Sequence, residues 1–166
     1  MQTFNLDRLN LHSPYTVWHS KNDSLVFLTD YNVQFRIVFT RNTDIWQDEE
    51  AYEFGLFNDN SKASPNDPKV RQTIQCIIEE FFLTNPNILL YQCETGDCRQ
   101  AIRARLFYNW FNKYENKEHF FTQVSILQED NIDNYIAIIV QKSNPNLKRI
   151  LNDFDSFIGF FNKKPE

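Results

Sequence analysis

Apolar and polar residues alternate along much of the first third of the chain. The clearest alternation covers residues 33–39, where every second residue is a large apolar one. A period of two predicts a strand with one buried face. Shorter β-rich runs occur at residues 15–18 and 24–29, and another alternating run covers residues 52–56. We expect these four segments to form a meander of strands.

Three later segments carry apolar residues at helical spacing. Asp67 followed by Pro68 predicts the start of the first helix, because Asp accepts hydrogen bonds from free N–H groups and Pro fits the first turn. Asn85 stands before a proline, which predicts the end of that helix. A second helix is predicted after Cys98, and a third begins near Pro145. The third has a wide apolar face and is expected to cover the sheet.

Three more strands complete the predicted fold. One covers residues 88–91, between the first two helices, and a hairpin of residues 120–127 and 135–140 precedes the last helix. The order ββββ-α-β-α-ββ-α predicts an α+β domain with a mostly antiparallel sheet of about seven strands and three helices. Residues 1–13 have no sustained period and are expected to form an N-terminal arm, leaving residues 14–166 as a single domain.

Composition narrows the classes of partner. The chain has 166 residues, of which 16 are Phe and only three are Gly, so it has material for a core but not for a glycine-rich phosphate loop. A net charge of −5 argues against a nucleic-acid partner, which would require a basic stripe. No apolar run reaches the roughly 20 residues of a membrane span, and the N-terminus has no signal pattern. We therefore expect a cytoplasmic protein without a membrane partner.

The candidate chemistry lies at the start of the second helix. On a helical wheel, Arg99 and Arg103 fall on the stripe that we expect to face the sheet. The other members of that stripe are Ile102, Leu106, Trp110 and Tyr114. A helix N-terminus already favours an anion, because its first N–H groups have no partner in the helix. The two guanidinium groups therefore predict an anion site.

Three further residues complete the predicted ligand-binding set. Arg71 lies at the edge of the apolar face of the first helix, and Thr95 and Cys98 belong to the turn that leads into the second. Converging arginines could hold a phosphate or a carboxylate. The alternative interpretation pairs them with the protein's own carboxylates, such as Glu94 and Asp97.

The chain offers no complete catalytic motif. Cys98 would need a base to act as a nucleophile, and the histidines His12, His19 and His119 have no motif spacing. Cys93 and Cys98 do not form a Cys-x-x-Cys pair, so no zinc site is predicted. We do not expect an enzyme, and we predict neither a metal nor a cofactor.

Residues 67–114 carry a group of short motifs. They are Asp67-Pro68, Phe81-Phe82, Asn85-Pro86, Leu90-Tyr91-x-Cys93, Arg99-Gln100 and Trp110-Phe111. This group resembles a small family of bacterial proteins, typical of the Bacteroidetes, whose function is unknown. The resemblance extends from about Ser24 to the end of the chain and implies no activity.

The element order also resembles the second half of the acetyl-coenzyme A dependent N-acetyltransferase fold. That resemblance implies an acyltransferase-like enzyme with acetyl-CoA as its cofactor. In that family a glycine-containing loop binds the pyrophosphate, and the corresponding loop here, residues 58–66, contains no glycine.

These observations predict a cytoplasmic binding module that recognises a small anion or an acidic partner protein through its arginines. Two alternatives stay open. One is the acyltransferase-like enzyme. The other is a non-enzymatic interaction or structural protein, including a homodimer formed through exposed aromatic residues such as Trp46 and Trp110.

Overall fold

The computed structural model describes residues 3–85, 87–93 and 98–163. The helices in this part of the chain are α1 (Leu6–His12), α2 (Pro68–Thr84), α3 (Gln100–Asn112) and α4 (Leu147–Asn162), with a short 3₁₀ turn at Lys117–His119. The strands are β1 (Trp18–His19), β2 (Leu25–Leu28), β3 (Gln34–Asn42), β4 (Ala51–Asn58), β5 (Ile88–Gln92), β6 (Phe120–Glu129) and β7 (Ile132–Gln141).

The predicted α+β class is confirmed. The seven strands form one sheet in the order β1-β2-β3-β4-β5-β7-β6. The pairs β1–β2, β2–β3, β5–β7 and β6–β7 are antiparallel. None of the described helices is long and apolar enough to cross a membrane.

The predicted number of three helices is too low, because α1 forms within the expected N-terminal arm. The side chain of Asn5 accepts a hydrogen bond from the N–H of Arg8 and thereby caps the helix. Leu9 is its only buried residue. A helix of two turns with one buried side chain has no detectable period, which is why the sequence pattern did not predict it.

The chain divides into two compact units, Met1–Thr40 with Phe54–Pro86 and Arg41–Glu53 with Asn87–Glu166. The first unit has a phenylalanine core beneath α2. The ring of Phe39 stacks on Phe81 at 5.1 Å between centroids and meets Phe54 edge-on at 5.6 Å. As predicted, α2 begins after Asp67, whose side chain accepts from the N–H of Lys69.

The second unit has three layers, with α3 and α4 on opposite faces of β5, β7 and β6. On one face, alternate residues of β5 and β7 pack with Ile150, Phe154 and Ile158 of α4. Trp46 is buried in the same cluster, so it offers no exposed aromatic patch. On the other face, Phe107 of α3 stacks on Tyr91 of β5 at 5.1 Å.

Left-handed turns in the described residues are made without glycine. Asp130 and Asn131 form the two-residue turn between β6 and β7, with φ of 51° and 61°. Two-residue hairpin turns need this conformation, and Asn and Asp tolerate it better than other side chains. The other described residues with positive φ are Asp23, Asn32, Ser61 and Cys98.

Candidate functional site

The predicted site lies between the end of β5 and the first turn of α3. The N–H of Cys93 donates to the carbonyl of Tyr135 at 2.9 Å, which continues the β5–β7 pairing by one residue. Thr95, together with the rest of residues 94–97, lies outside the described residues. Cys98 is exposed and has a φ of 58°. Arg99 follows at the N-cap position of α3 and makes no side-chain cap hydrogen bond.

The helical wheel was only partly right about the face of α3 that meets the sheet: Arg103, Trp110 and Tyr114 are half-buried, but the rest of the predicted stripe is exposed. Ile102 is 64% exposed and Leu106 is 47% exposed, although both were expected to be buried. The sheet-facing side instead contains Ala104, which is buried, and the half-buried Phe107. Apolar residues occur on both sides of this helix, so periodicity alone could not select one. The aromatic contact of Phe107 with the sheet decides the orientation.

The side chain of Gln100 also holds α3 in this orientation. Its Nε2 donates to the carbonyl of Asp133 in β7 at 3.2 Å. Among the described residues, no group donates to its Oε1, which is buried. The start of the helix is therefore attached to the sheet by a polar contact that the sequence pattern did not predict.

The two arginines of the predicted anion site lie in different environments. Arg99 is exposed, whereas Arg103 is half-buried on the side of Cys93. Burial raises the pKa of the Cys93 thiol to about 11, and the positive charge of Arg103 opposes this shift. Cys93 is therefore a neutral thiol at physiological pH. The prediction that both guanidinium groups face the sheet is wrong for Arg99, and their role in binding stays a prediction.

Arg71 belongs to the first compact unit. It lies on α2 and is half-buried, and its Nε is enclosed without a hydrogen bond from the described residues. Its part in ligand binding stays a prediction.

The outward side of α3 combines apolar and positively charged residues. We call this surface the α3 face, and its members, all exposed, are Arg99, Ile102, Arg105, Leu106, Asn109 and Lys113. Residues 98–114 contain no Asp or Glu, although the whole chain has a net charge of −5. Residues 134–152 also contain no Asp or Glu, so this sequence signal alone would not have identified the surface.

Among the described residues, no group of three or more His, Cys, Asp and Glu side chains is placed to hold a metal ion. The chemistry that the described residues offer here is an exposed thiol, exposed cations and exposed apolar side chains.

A family model described as "Family of unknown function (DUF6169)" matches residues 66–156, more than half of the chain. The chain belongs to this family. The DUF6169 match contains α2, β5, α3, β6, β7 and most of α4, so it includes the whole α3 face. The predicted membership of a family of unknown function is thus confirmed. No curated protein and no solved structure matches the chain.

Proposed function

We propose that this DUF6169 protein is a non-enzymatic binding domain whose α3 face binds an acidic and partly apolar segment of a partner protein. The observation that supports this proposal is the exposure of Ile102 and Leu106 between three cations, Arg99, Arg105 and Lys113. Exposed apolar residues beside polar or charged ones are typical of a protein-binding surface.

The apolar part of the surface supplies affinity. Ile102 and Leu106 are four residues apart on the helix and therefore form one ridge. Covering their exposed area with a partner would gain about 25 cal/mol for each Å² removed from water. Neither side chain contributes to the core of its own unit, so their exposure is not explained by folding.

The charged part of the surface supplies selectivity. Arg99 and Lys113 lie about 21 Å apart along the helix axis, at about 1.5 Å per residue, with Arg105 between them. Cations spread over this length match several carboxylates along one segment better than a single phosphate, which needs converging groups. The negative charge of the rest of the chain would repel an acidic segment from other surfaces.

Peptide display on the full-length protein tests the proposal. From a random library of peptides about 15 residues long, we expect selected sequences to combine Asp or Glu with large apolar residues. The double variant Arg99→Glu with Arg105→Glu should bind the selected peptides at least about tenfold more weakly. The matched control, Lys21→Glu with Lys62→Glu, makes the same charge change at two exposed lysines outside the α3 face.

Two results would contradict the proposal. One is the selection of peptides without an excess of acidic residues. The other is equal binding of the selected peptides to wild type and to the Arg99→Glu, Arg105→Glu variant. A further test replaces Ile102 and Leu106 with Ser, which should weaken binding without changing its dependence on salt.

A further inference from the structure

β6 lies at one end of the sheet and pairs only with β7. Residues that flank a two-residue hairpin turn form a hydrogen-bonded pair, and here Glu129 faces Ile132. The backbone groups of odd-numbered residues of β6 therefore point toward β7. Those of even-numbered residues point away from the sheet.

The side-chain amide of Asn162 occupies part of this outer edge. The N–H of Gln128 donates to Asn162 Oδ1 at 3.0 Å, and Asn162 Nδ2 donates to the carbonyl of Ile126 at 3.0 Å. Both backbone groups belong to even-numbered residues, which supports the inference that the backbone groups of these residues point away from β7. The carboxamide at the end of α4 thus takes the place of a neighbouring strand, but only at these two residues.

The opposite edge of the sheet is protected in the same way and is much shorter. β1 has two residues, and the side chain of Asn10 both accepts from the N–H of Val17 at 2.8 Å and donates to its carbonyl at 2.9 Å. Short edge strands leave little backbone for another chain to pair with.

The middle of β6 lacks such protection. No group among the described residues bonds to the outward N–H and C=O of Thr122 and Val124. Natural proteins commonly block an edge strand with Lys or Pro. Residues 120–128 contain no charged residue, no Pro and no Gly.

We propose that this open stretch of β6 pairs antiparallel with the same stretch of a second copy of the chain. A two-fold axis at Gln123 would place Thr122 opposite Val124 of the second copy, so that each pair exchanges two backbone hydrogen bonds. The residues of the two strands that would face each other are uncharged, so no like charges lie directly opposite each other, although each copy has a net charge of −5. The carboxylate that accepts from Gln123 Nε2 at 2.8 Å, Asp155, belongs to α4. The neutrality of the facing residues favours a second copy over a charged partner.

Asn162 limits the length of this contact. The carbonyl of Ile126 and the N–H of Gln128 are already bonded to Asn162, so both outward groups of a residue are open only in the stretch around Gln123. A standard protein–protein interface buries at least about 1,200 Å², and such a short contact buries less. The dimer is therefore weak, and the dimeric fraction depends on protein concentration. Asn162→Ala frees two more backbone groups and should strengthen dimerisation.

Amide hydrogen exchange of the full-length protein tests the pairing directly. Over a protein concentration range from about 10 µM to about 1 mM, protection of the Thr122 and Val124 amides should rise with concentration. The amides of Gln123 and Ser125 are bonded to β7 and should be protected at every concentration. Exchange at Thr122 and Val124 that does not depend on concentration would overturn the proposal, even if the protein dimerises by another surface.

Sedimentation of variants gives a second test. Val124→Lys should raise the dimer dissociation constant at least about tenfold, because the substitution places charge on the shared edge. Val124→Thr keeps the strand neutral and should dimerise like wild type, and Leu11→Lys controls for added charge at a residue that is 78% exposed. Asn162→Ala should lower the constant, whereas Asn10→Ala should leave it unchanged. A monomer at all concentrations for both wild type and Asn162→Ala contradicts the proposal.

Discussion

Arg8 and Glu80 form an ion pair that attaches α1 to α2. The Nε of Arg8 donates to Glu80 Oε2 at 2.9 Å, and its Nη2 donates to Oε1 at 2.6 Å. The Glu80 side chain is 2% exposed, whereas the Arg8 side chain is 45% exposed. The arginine therefore closes over a carboxylate that water cannot reach, and it links the N-terminal helix to α2.

Arg8→Ala should lower the urea concentration at the midpoint of unfolding, because it leaves a buried carboxylate without its cation. Urea denaturation measures the change. The matched control Lys21→Ala removes an exposed cation and should change stability by less than about 0.5 kcal/mol. Replacing both Arg8 and Glu80 with Met should cost less than Arg8→Ala alone, and a larger cost for the pair would contradict this explanation.

The three thiols should react at different rates. Cys98 is exposed and should be labelled quickly by a disulfide reagent at pH 8, whereas Cys93 is buried with a raised pKa and should react slowly. Burial also raises the pKa of Cys76, so it belongs to the slow class. Cys98→Ser should remove the fast phase, and Cys93→Ala should keep it. A fast phase that survives Cys98→Ser would show that Cys76 or Cys93 is accessible, against this ranking.

Cys93 should also make the protein less stable at high pH. Burial raises the pKa of its thiol to about 11, so between pH 9 and pH 11 the unfolded chain loses this proton while the folded chain keeps it. The unfolded state then binds fewer protons, and stability falls as pH rises, by about 2 kcal/mol over this range.

Urea denaturation at pH 9, 10 and 11 measures this decline. Cys93→Ala should flatten this decline. Tyr15 contributes a further decline with the same sign above pH 10, because burial and the hydrogen bond to Asp67 raise its pKa to about 12. Cys98→Ser should decline like wild type. An equal decline in Cys93→Ala and wild type would exclude the thiol as its source.

Two phenylalanines of α4 offer a matched comparison. Phe154 is fully buried against the sheet, whereas Phe160 is 67% exposed. Phe154→Ala should cost about 3 to 5 kcal/mol of stability because it leaves a cavity beside Trp46. Phe160→Ala should change stability by less than about 0.5 kcal/mol. Similar thermal denaturation curves for the two variants would contradict the assigned orientation of α4.

The sequence predicted those elements whose signals are local. The start of α2 was predicted because Asp67 and Pro68 act on the first turn itself, and the strand at residues 33–39 was predicted because its alternation is strict. The left-handed turns had no glycine to mark them in the sequence. Most of them form at Asn and Asp residues, whose own side chains tolerate that conformation.

The orientation of α3 could not be predicted from the sequence, because it depends on contacts with strands that are distant along the chain. Ile102 and Leu106 have the same apolar character as Phe107, and only the stacking of Phe107 on Tyr91 distinguishes the two sides. The face of α3 that meets the sheet was therefore predicted only in part. The edge contacts of Asn10 and Asn162 have no periodic signal at all, since each comes from a single side chain.

The Asp130–Asn131 turn also influences the order of events during folding. It joins strands that are adjacent in the sequence, from Glu129 opposite Ile132 to Phe120 opposite Gln141. Closing such a short loop costs little chain entropy, so this hairpin can form within microseconds, before β5 finds its place beside β7. The longest ladder of the second unit thus provides a template onto which the more distant strand is added.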